Sequence, residues 1–472
     1  MRRIRRQGER IVSTIWLDVD DLISYLRRSS RPSGIQRVVL EIGRALLAEV
    51  PDRVGFVRRG NGPRDLVSLA WSQVETLLAS GQEEESVTIA QVARSAHLTE
   101  EILADDPDPL KTLARTQLQV LKAGATFPVS VARYLWQSHL LKRKMKRVTD
   151  AAAVQSAEVL AQTAGRRFED VAKPGDVLLV LGSPWHYDDY AKTVRWVRDD
   201  LRMSFALLIH DLIPIRRPQW CDRGIITTFT QWHRMVLPFA DQIFANSRAT
   251  ADDVTAYMKE VRLPLAAPVQ VVPLGSGFQN HAMAPAVQKP SVEGEYILFV
   301  STIEARKNHE LLFRVWRRLL QTMPKDKVPK LVFAGRAGWL VQDLMQQLDN
   351  ANWLDQHIVH VNNPSDGELN ALYRGCLFTV FPSYFEGWGL PITESLINGR
   401  PCVASNTTSM PEAGGSFARY FNPNDVNDAC RVIKETLEDR AGLQAWTQKV
   451  ENEFVPTSWT QSARVVLEKL TD

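Results

Sequence analysis

The sequence of 472 residues predicts an α/β protein built from two doubly wound, Rossmann-like domains that face a cleft. Two series of short apolar strands alternate with helical segments, a pattern typical of parallel sheets covered by helices. A polar, proline-bearing stretch over residues 285–295 separates the two series and predicts a linker. Ligands of such folds bind at the carboxyl ends of the strands, so we expect a site in the cleft.

The first series begins with a strand over residues 14–19 and a helix that starts at Gly34. The helix is indicated by apolar residues at helical spacing, namely Ile35, Val38, Val39, Ile42 and Leu46. Further buried strands are predicted at 176–181, 205–209, 242–245 and 269–272. Ser247 is expected to cap the helix that follows the third of these. The stretch 65–167 is poor in glycine and predicts a mostly helical elaboration of the first domain.

The second series predicts another parallel sheet. Its strands are expected at 296–300, 330–334, 358–360, 377–381 and 401–404. Helices are expected at 309–321, 339–348, 368–374 and 392–398, and a last helix at 459–470. This regular alternation defines the second doubly wound domain.

The composition is that of a soluble globular protein, with 44% hydrophobic and 24% charged residues. The net charge of +3 gives a weak overall field, so any basic function depends on local clusters. The four cysteines form no C-x-x-C pair, which favours a reduced, cytoplasmic chain. We find no apolar run near the roughly 18 residues that a membrane span needs.

The most informative stretch places Glu386 and Glu394 on either side of a glycine-rich turn, with seven residues between them. Pro391 suits the first turn of a helix, so the segment predicts a strand, a turn and a helix. Free amide groups at such a turn suit a phosphate, whereas the carboxylates would repel it. We therefore expect the carboxylates to bind neutral hydroxyls, those of a sugar and of a ribose. A nucleotide sugar fits this pattern.

The run from Phe385 to Glu394 resembles the E-x7-E signature of retaining glycosyltransferases of family 4, which have the GT-B fold. The resemblance covers most of the C-terminal half, roughly residues 296–420, and parts of the N-terminal half. It implies that Glu386 holds the hydroxyls of the donor sugar and that Glu394 binds the ribose. It also implies that the turn holds the diphosphate, through Gly387, Trp388, Gly389 and Leu390.

Basic residues follow the strand at 296–300. Arg306 and Lys307 there suit a diphosphate and would stabilise it as it leaves with extra negative charge. They resemble the Arg-Lys-Asn element of the same family, and the alternative is a solvated basic helix start. His210 follows the strand at 205–209 and is similar to the histidine by which the family's first domain contacts the donor sugar; the alternative is a structural histidine.

Weaker signals extend the predicted donor site. Gly34 is similar to the family's first glycine loop, whose backbone approaches the donor phosphate, although a plain turn is an alternative. Gly335 and Arg336 follow the strand at 330–334, and Asn362 follows the strand at 358–360. We expect these three residues on the nucleotide side of the cleft. Asp211 and Glu412 are each interpreted as supporting residues or helix caps.

The resemblance also divides the chain. It implies an acceptor-side domain over 1–284, a nucleotide-sugar-binding domain over 285–456, and a last helix, 457–472, that returns to the first domain. No metal cofactor is expected, because GT-B enzymes do not generally need one. The acid pairs at Asp18 and Asp20 and at Asp188 and Asp189 are accordingly predicted to be surface or turn residues.

A basic stretch over 132–147 mixes aromatic, aliphatic and positive residues, the last being Lys142, Arg143, Lys144, Lys146 and Arg147. It suits an anionic membrane surface, on which many family members meet lipid-linked acceptors. A solvated basic helix is the alternative. No recognition motif accompanies the stretch, so no nucleic-acid partner is expected.

The predicted function is that of a retaining, metal-independent hexosyltransferase. It would move a sugar of mannose or rhamnose type from a GDP, dTDP or UDP donor to a hydroxyl of a growing, lipid-linked polysaccharide. We expect it to be cytoplasmic, with peripheral attachment to the membrane. Other GT-B enzymes, such as a nucleotide-sugar epimerase or a sugar phosphorylase, are an alternative. A non-catalytic glycan- or nucleotide-binding protein is another.

Overall fold

The computed structural model describes residues 13–26, 34–78, 165–276 and 290–471. The chain forms two compact units. The larger comprises Met1–Leu22, Pro32–Ser68 and Arg167–Asp472, and the smaller comprises Ile23–Arg31 and Leu69–Arg166. The described part of the smaller unit includes a helix over residues 71–78. The predicted site and nearly all of both sheets belong to the larger unit.

The N-terminal domain is built on an eight-stranded sheet in the order β4-β3-β2-β1-β5-β6-β7-β8. The strands are β1 (Ile15–Asp18), β2 (Val54–Arg59), β3 (Leu66–Leu69), β4 (Arg166–Arg167), β5 (Val177–Val180), β6 (Ser204–Ile209), β7 (Gln242–Ala245) and β8 (Gln270–Val271). β1 pairs in parallel with β2 and β5, and the parallel pairing continues through β6 and β7 to β8. The carboxyl ends of the central strands therefore meet at one edge of the sheet.

The helices of this domain are α1 (Asp20–Leu26), α2 (Gly34–Glu49), α3 (Tyr190–Arg195), α4 (Ile213–Arg216), α5 (Arg223–Val236) and α6 (Arg248–Glu260). Gly34 is the first residue of α2, as the sequence predicts. Ser247 caps α6, since its hydroxyl accepts a hydrogen bond from the amide of Thr250 at 3.0 Å. The cap satisfies one of the free amide groups at the helix start.

The C-terminal domain is built on a parallel six-stranded sheet in the order β11-β10-β9-β12-β13-β14. Its strands are β9 (Tyr296–Val300), β10 (Lys330–Ala334), β11 (Ile358–Val361), β12 (Thr379–Phe381), β13 (Cys402–Ser405) and β14 (Ala418–Phe421). Its helices are α7 (His309–Thr322), α8 (Gln342–Asn350), α9 (Asp366–Gly375), α10 (Leu390–Ile397), α11 (Met410–Gly414), α12 (Val426–Glu438) and α13 (Arg440–Glu453). A turn of left-handed backbone over Asn352–Gln356 precedes β11. The chain order reverses between β9 and β12, which creates a crevice there.

The predicted fold class, two doubly wound parallel sheets, is confirmed. The alternation pattern nevertheless does not predict β2, β3 or β14. β2 contains a glycine and two arginines, β3 contains a serine and β14 an arginine, so none of the three is a continuous apolar run. β3 and β4 lie within 65–167, so the two ends of the predicted helical elaboration are strands. Residues 79–164 lie outside the described part of the chain.

The last helix, α14 (Trp459–Thr471), packs against α2 of the N-terminal domain. The Ser462 hydroxyl donates a hydrogen bond to the carbonyl of Pro273 at 2.6 Å, and Arg464 pairs with Glu49. A Cβ added to Gly275 would lie 2.4 Å from the ring of Trp459, so only glycine fits there. The chain thus crosses between the two domains a second time after α13.

Among the described residues, no helix is long and apolar enough to cross a membrane. The longest described helix, α2, has 16 residues. The basic stretch over 132–147, and with it the predicted membrane-binding surface, lies outside the described residues.

We predict that Trp316→Ala lowers the free energy of unfolding by about 3–5 kcal/mol, because it leaves a cavity in the core of the C-terminal domain. The Trp316 side chain is fully buried, and its indole N–H donates to the carbonyl of Pro329 at 2.9 Å. Urea denaturation provides the measurement. Trp339, which is 50% exposed, is the matched control. A loss for Trp316→Ala no larger than that for Trp339→Ala would contradict the prediction.

Candidate functional site

The turn between β12 and α10 carries Glu386 and two of the predicted glycines. Gly389 precedes α10 with a φ of 109°, in the left-handed region that favours glycine. The helix begins at Leu390, so Pro391 lies in its first turn as predicted. Among the described residues, no acceptor is bonded to the amides of Gly387, Trp388 or Gly389. These groups are available to an anion at the positive end of α10.

Contacts with the residues after β13 fix the shape of this turn. The Ser409 hydroxyl lies 2.9 Å from the carbonyl oxygens of both Glu386 and Trp388, to which it donates. The amide of Glu386 donates to the hydroxyl of Thr408 at 3.1 Å. The carbonyl groups are therefore held on the β13 side of the turn.

Glu386 is buried and forms an ion-pair cluster with the two basic residues that follow β9. Its Oε1 lies 2.6 Å from Lys307 Nζ and 2.8 Å from Arg306 Nη1. Burial alone would raise the pKa of Glu386, but the charges of Arg306 and Lys307 outweigh it and hold the pKa at about 2. The carboxylate is therefore ionised at neutral pH, and both of its oxygens can accept hydrogen bonds from hydroxyls.

Arg306 and Lys307 lie in a single 3₁₀ turn, Ala305–Lys307, at the carboxyl end of β9. Asn308 ends this turn with a φ of 61°. Its buried side-chain amide donates hydrogen bonds to the carbonyls of Pro382 and Pro423. Arg306 also donates to the Phe385 carbonyl at 2.6 Å and pairs with Glu304. Burial, and then the charge of Arg306, lower the pKa of Lys307 despite its contact with Glu386.

Both carboxylate oxygens of Glu394 have partners. Oε1 lies 2.6 Å from Nη1 of Arg37, which belongs to α2 of the N-terminal domain, and Oε2 accepts from the Tyr373 hydroxyl at 3.0 Å. Sequence patterns single out neither partner. The available signal for Arg37 is its position, one helical turn after Gly34. For Tyr373 the sequence offers no signal.

His210 lies at the carboxyl end of β6 and is buried. Its Nε2 lies 2.8 Å from the carbonyl oxygen of Leu181, which can only accept, so Nε2 carries a proton. Burial lowers the pKa of His210, which keeps the ring neutral. The neighbouring Asp211 accepts a hydrogen bond at 2.9 Å from the amide of Ile213, the first residue of α4.

The two domains touch at this point. A Cβ added to Gly387 would lie 1.9 Å from the carbonyl oxygen of His210, so only glycine permits the approach. Gly34 also faces the turn, since a Cβ on it would lie 3.5 Å from Leu390 Cδ1. The structure thus brings His210 and Gly34 to the same turn as Glu386.

The remaining predicted donor residues lie at the ends of β10 and β11. Gly335 has a φ of 151°, and a Cβ there would lie 2.1 Å from the carbonyl oxygen of Ser301, so this turn requires glycine. Arg336 and Asn362 are exposed. Within the described residues, no hydrogen bond or ion pair joins these two side chains to the Glu386 cluster. Their predicted nucleotide contacts stay predictions.

Two further contacts join the domains around the cleft. Glu412 accepts hydrogen bonds from the amides of Arg248 and Ala249 at 2.7 and 2.9 Å, so it caps α6 of the opposite domain. Trp220 stacks on Tyr384 with ring centroids 5.4 Å apart. Sequence reasoning assigns no role to either aromatic residue, because their positions follow no motif.

The prediction that Asp18 and Asp20 are surface or turn residues is wrong. Both are buried, and each accepts a tyrosine hydroxyl at 2.6 Å, from Tyr190 and Tyr187 respectively. Burial, and then the charge of Asp20, raise the pKa of Asp18 to about 7. In the described part of the chain, no group of three or more His, Cys, Asp or Glu residues is arranged to hold a metal ion.

We predict that replacing Glu386 by glutamine changes the pH dependence of stability. The pKa of Glu386 falls from an ordinary 4.5 to about 2 on folding, so the unfolded chain binds more protons in this window. Stability from the ionised group is therefore complete above pH 4.5 and is lost as pH falls towards 2. The contribution is about 3 kcal/mol at most.

Urea denaturation between about pH 5 and pH 3 measures this effect, because the window covers most of the titration. The wild type should lose stability more steeply than Glu386→Gln as the pH falls. The difference in slope is the readout, since the substitution also leaves Arg306 and Lys307 without their carboxylate at every pH. Equal slopes would show that Glu386 does not titrate in this way.

Comparison with known proteins gives partial sequence matches. Residues 284–453 match the family model described as glycosyl transferases group 1. Over 302 residues the chain is 26% identical to the serotype-specific mannosyltransferase WbdA of Escherichia coli, covering 63% of this chain and 37% of WbdA. Over 176 residues it is 32% identical to the O-antigen chain mannosyltransferase B of Escherichia coli, and the match covers 37% of this chain and 45% of that protein. The chain thus spans less than half the length of these curated relatives.

Solved structures match over nearly the whole chain. Anabaena Alr3699/HepE in complex with UDP gives a TM-score of 0.53 at 15% identity, covering 97% of this chain and 99% of that one. The glycosyltransferase from Rickettsia africae ESF-5 gives a TM-score of 0.52 at 14% identity, and the match covers 97% of this chain and 98% of that one. Likeness at such low identity shows the fold alone. The chain therefore has the GT-B fold, and its residues 284–453 are similar to the glycosyl transferases of group 1.

Proposed function

We propose that this protein is a retaining glycosyltransferase that uses a nucleotide-sugar donor. The observation that carries the proposal is the buried cluster of Glu386, Lys307 and Arg306, set before the positive end of α10 and against the backbone of His210. Such a site offers a carboxylate for hydroxyls and fixed positive charge for a diphosphate. The mannosyltransferase names of two relatives and the UDP in the HepE structure agree with this chemistry.

Donor binding exchanges the partners within this cluster. In the structure, the two cations neutralise Glu386. The donor brings hydroxyls, which bind Glu386, and a diphosphate, which binds Lys307, Arg306 and the free amides of the turn from Gly387 to Leu390. Every buried charge then keeps a partner throughout, which avoids the large cost of an unpaired buried ion.

The reaction breaks the bond between the anomeric carbon and the phosphate oxygen, and its electron pair leaves with the diphosphate. An acceptor hydroxyl attacks the same face of the sugar and loses its proton to the leaving phosphate oxygen, so the configuration is retained. Lys307 and Arg306 stabilise the charge that develops on the diphosphate, the task that a metal ion performs in other enzymes. Neutral His210 contacts the donor sugar from the opposite domain.

Closure of the cleft protects the donor from hydrolysis. The close approach of Gly387 to His210 and the cap that Glu412 places on α6 hold the two domains together over the site. Exclusion of water also strengthens the electrostatic interactions inside the site. The domains must open again to release the nucleoside diphosphate.

The relatives also favour a substrate class. We propose a donor sugar of mannose or rhamnose type and, as acceptor, the hydroxyl of a growing, lipid-linked polysaccharide. The support is the match to two bacterial mannosyltransferases, one of them named for the O-antigen chain. The basic stretch at 142–147 would meet the anionic membrane surface that carries such an acceptor.

The proposal is tested by incubating the protein with GDP-mannose, dTDP-rhamnose, UDP-glucose and ADP-glucose, with and without glycan acceptors. We expect one donor to be consumed only when an acceptor is present, and NMR of the product to show the anomeric configuration of the donor. A new sugar isomer formed without acceptor would indicate an epimerase, and a requirement for inorganic phosphate would indicate a phosphorylase. A donor that binds but is never consumed would indicate a binding protein.

We predict that Lys307→Ala lowers kcat/KM roughly 30- to 150-fold, equivalent to about 2–3 kcal/mol for removing a charged interaction from a closed site. Steady-state kinetics with the identified donor measures the effect. Lys434→Ala is the matched control, since Lys434 lies on α12 and its ion pair is with Glu438 on the same helix. A wild-type kcat/KM in Lys307→Ala would refute the role of Lys307.

A further inference from the structure

The other predicted donor-binding carboxylate, Glu394, also pairs with a cation, and this cation comes from the opposite domain. Arg37 lies on the first turn of α2, and its Nη1 is 2.6 Å from Oε1 of Glu394. We propose that Arg37 is a donor-binding residue, which holds Glu394 when the donor is absent and moves to the diphosphate when it binds. This inference rests on the proposed function of the same site.

The ion pair is well enclosed, so it is more than a surface interaction. The side chain of Arg37 is 20% exposed and that of Glu394 is 10% exposed. The hydroxyl of Tyr373 occupies the second carboxylate oxygen of Glu394. A ribose that binds Glu394 through its two hydroxyls therefore competes with Arg37 for the same carboxylate.

The position of Arg37 is also suited to an anion. The first residue of α2, Gly34, faces Leu390 at the first turn of α10, so the amino ends of both helices meet across the cleft. Both ends carry partial positive charge, and a helix end binds phosphate through its free amides. A guanidinium on the first turn of a helix is disfavoured by the positive helix end, so it needs an anion beside it. Glu394 is that anion here, and a bound diphosphate would be a stronger one.

The Glu386 cluster shows the same arrangement. There, too, a carboxylate expected to bind hydroxyls is neutralised by cations expected to bind phosphate. The ribose and the diphosphate are neighbouring groups of the donor, so the inference requires the Arg37 side chain to move only from Glu394 to the adjacent diphosphate. The planar guanidinium fork matches two phosphate oxygens at once.

The alternative is that Arg37 only neutralises Glu394, and binding measurements separate the two roles. GDP, UDP, dTDP and ADP, and the nucleoside of whichever binds, are titrated calorimetrically into the wild type, Arg37→Gln and Arg44→Gln. Arg44 is the matched control, because it is an arginine of the same helix that pairs with Glu41. The nucleoside retains the ribose and lacks the phosphates.

We expect Arg37→Gln to raise the Kd of the nucleoside diphosphate about tenfold to a hundredfold, as for the removal of a charged hydrogen bond. The Kd of the nucleoside should stay the same or fall, because Glu394 is released for the ribose. Arg44→Gln should bind both ligands like the wild type. An unchanged diphosphate Kd in Arg37→Gln, or an equal rise for both ligands, would overturn the inference.

Arg37→Lys takes the place of Arg37→Gln if the latter does not fold, since lysine keeps the charge and loses the fork. It should raise the diphosphate Kd about threefold to tenfold and leave the nucleoside Kd unchanged; an equal effect on both ligands would again overturn the inference. A wild type that binds none of the four diphosphates would refute the proposed function together with the inference. Wild-type-like binding by Arg37→Gln would refute the inference alone.

Discussion

The buried carboxylate of Glu386, held between Lys307 and Arg306, is the interaction on which the site depends. A charge in this position is tolerable only if its partners stay within hydrogen-bond distance. The sheet order satisfies this condition, because β9 and β12 are neighbours and the turns at their carboxyl ends therefore lie side by side. Asn308, which ends the turn after β9, donates to the carbonyl of Pro382, and Ser409 donates to the carbonyl of Glu386. Both bonds hold the turn after β12 in place. The ion pairs are thus a result of the parallel topology.

The second constraint is the close approach of the two domains. Backbone atoms of His210 lie where a Cβ of Gly387 would be, so the glycine turn provides both amide groups for an anion and the space for closure. The return of α14 to α2 ties the C-terminal end of the chain to the N-terminal domain. Within the cleft, carboxylates and cations neutralise one another: Arg37 pairs with Glu394, and Arg306 and Lys307 pair with Glu386. Under the proposed function, a donor would exchange partners with these pairs and leave no buried charge alone.

Several parts of this structure follow from short stretches of sequence. The apolar strands β6, β7, β9 and β10, the Ser247 cap and the start of α10 near Pro391 depend on spacing and turn chemistry over a few residues. β2 and α5 are not predicted, because the first contains glycine and arginines and the second is rich in β-branched and aromatic residues. Asp18 and Asp20 are expected at the surface, as acidic residues usually are. Their burial depends on tyrosines 172 and 167 residues away.

The sequence by itself determined the two parallel α/β series, the glycine turn with its two carboxylates, and the basic pair that follows β9. These are local patterns, set by periodicity and by backbone preferences within a few residues. Only the tertiary structure decided which charges meet: Arg306 and Lys307 on Glu386, 79 residues away for Lys307, and Arg37 on Glu394, 357 residues away. Such pairs leave no periodic trace, because their geometry arises from the packing of whole strands and helices.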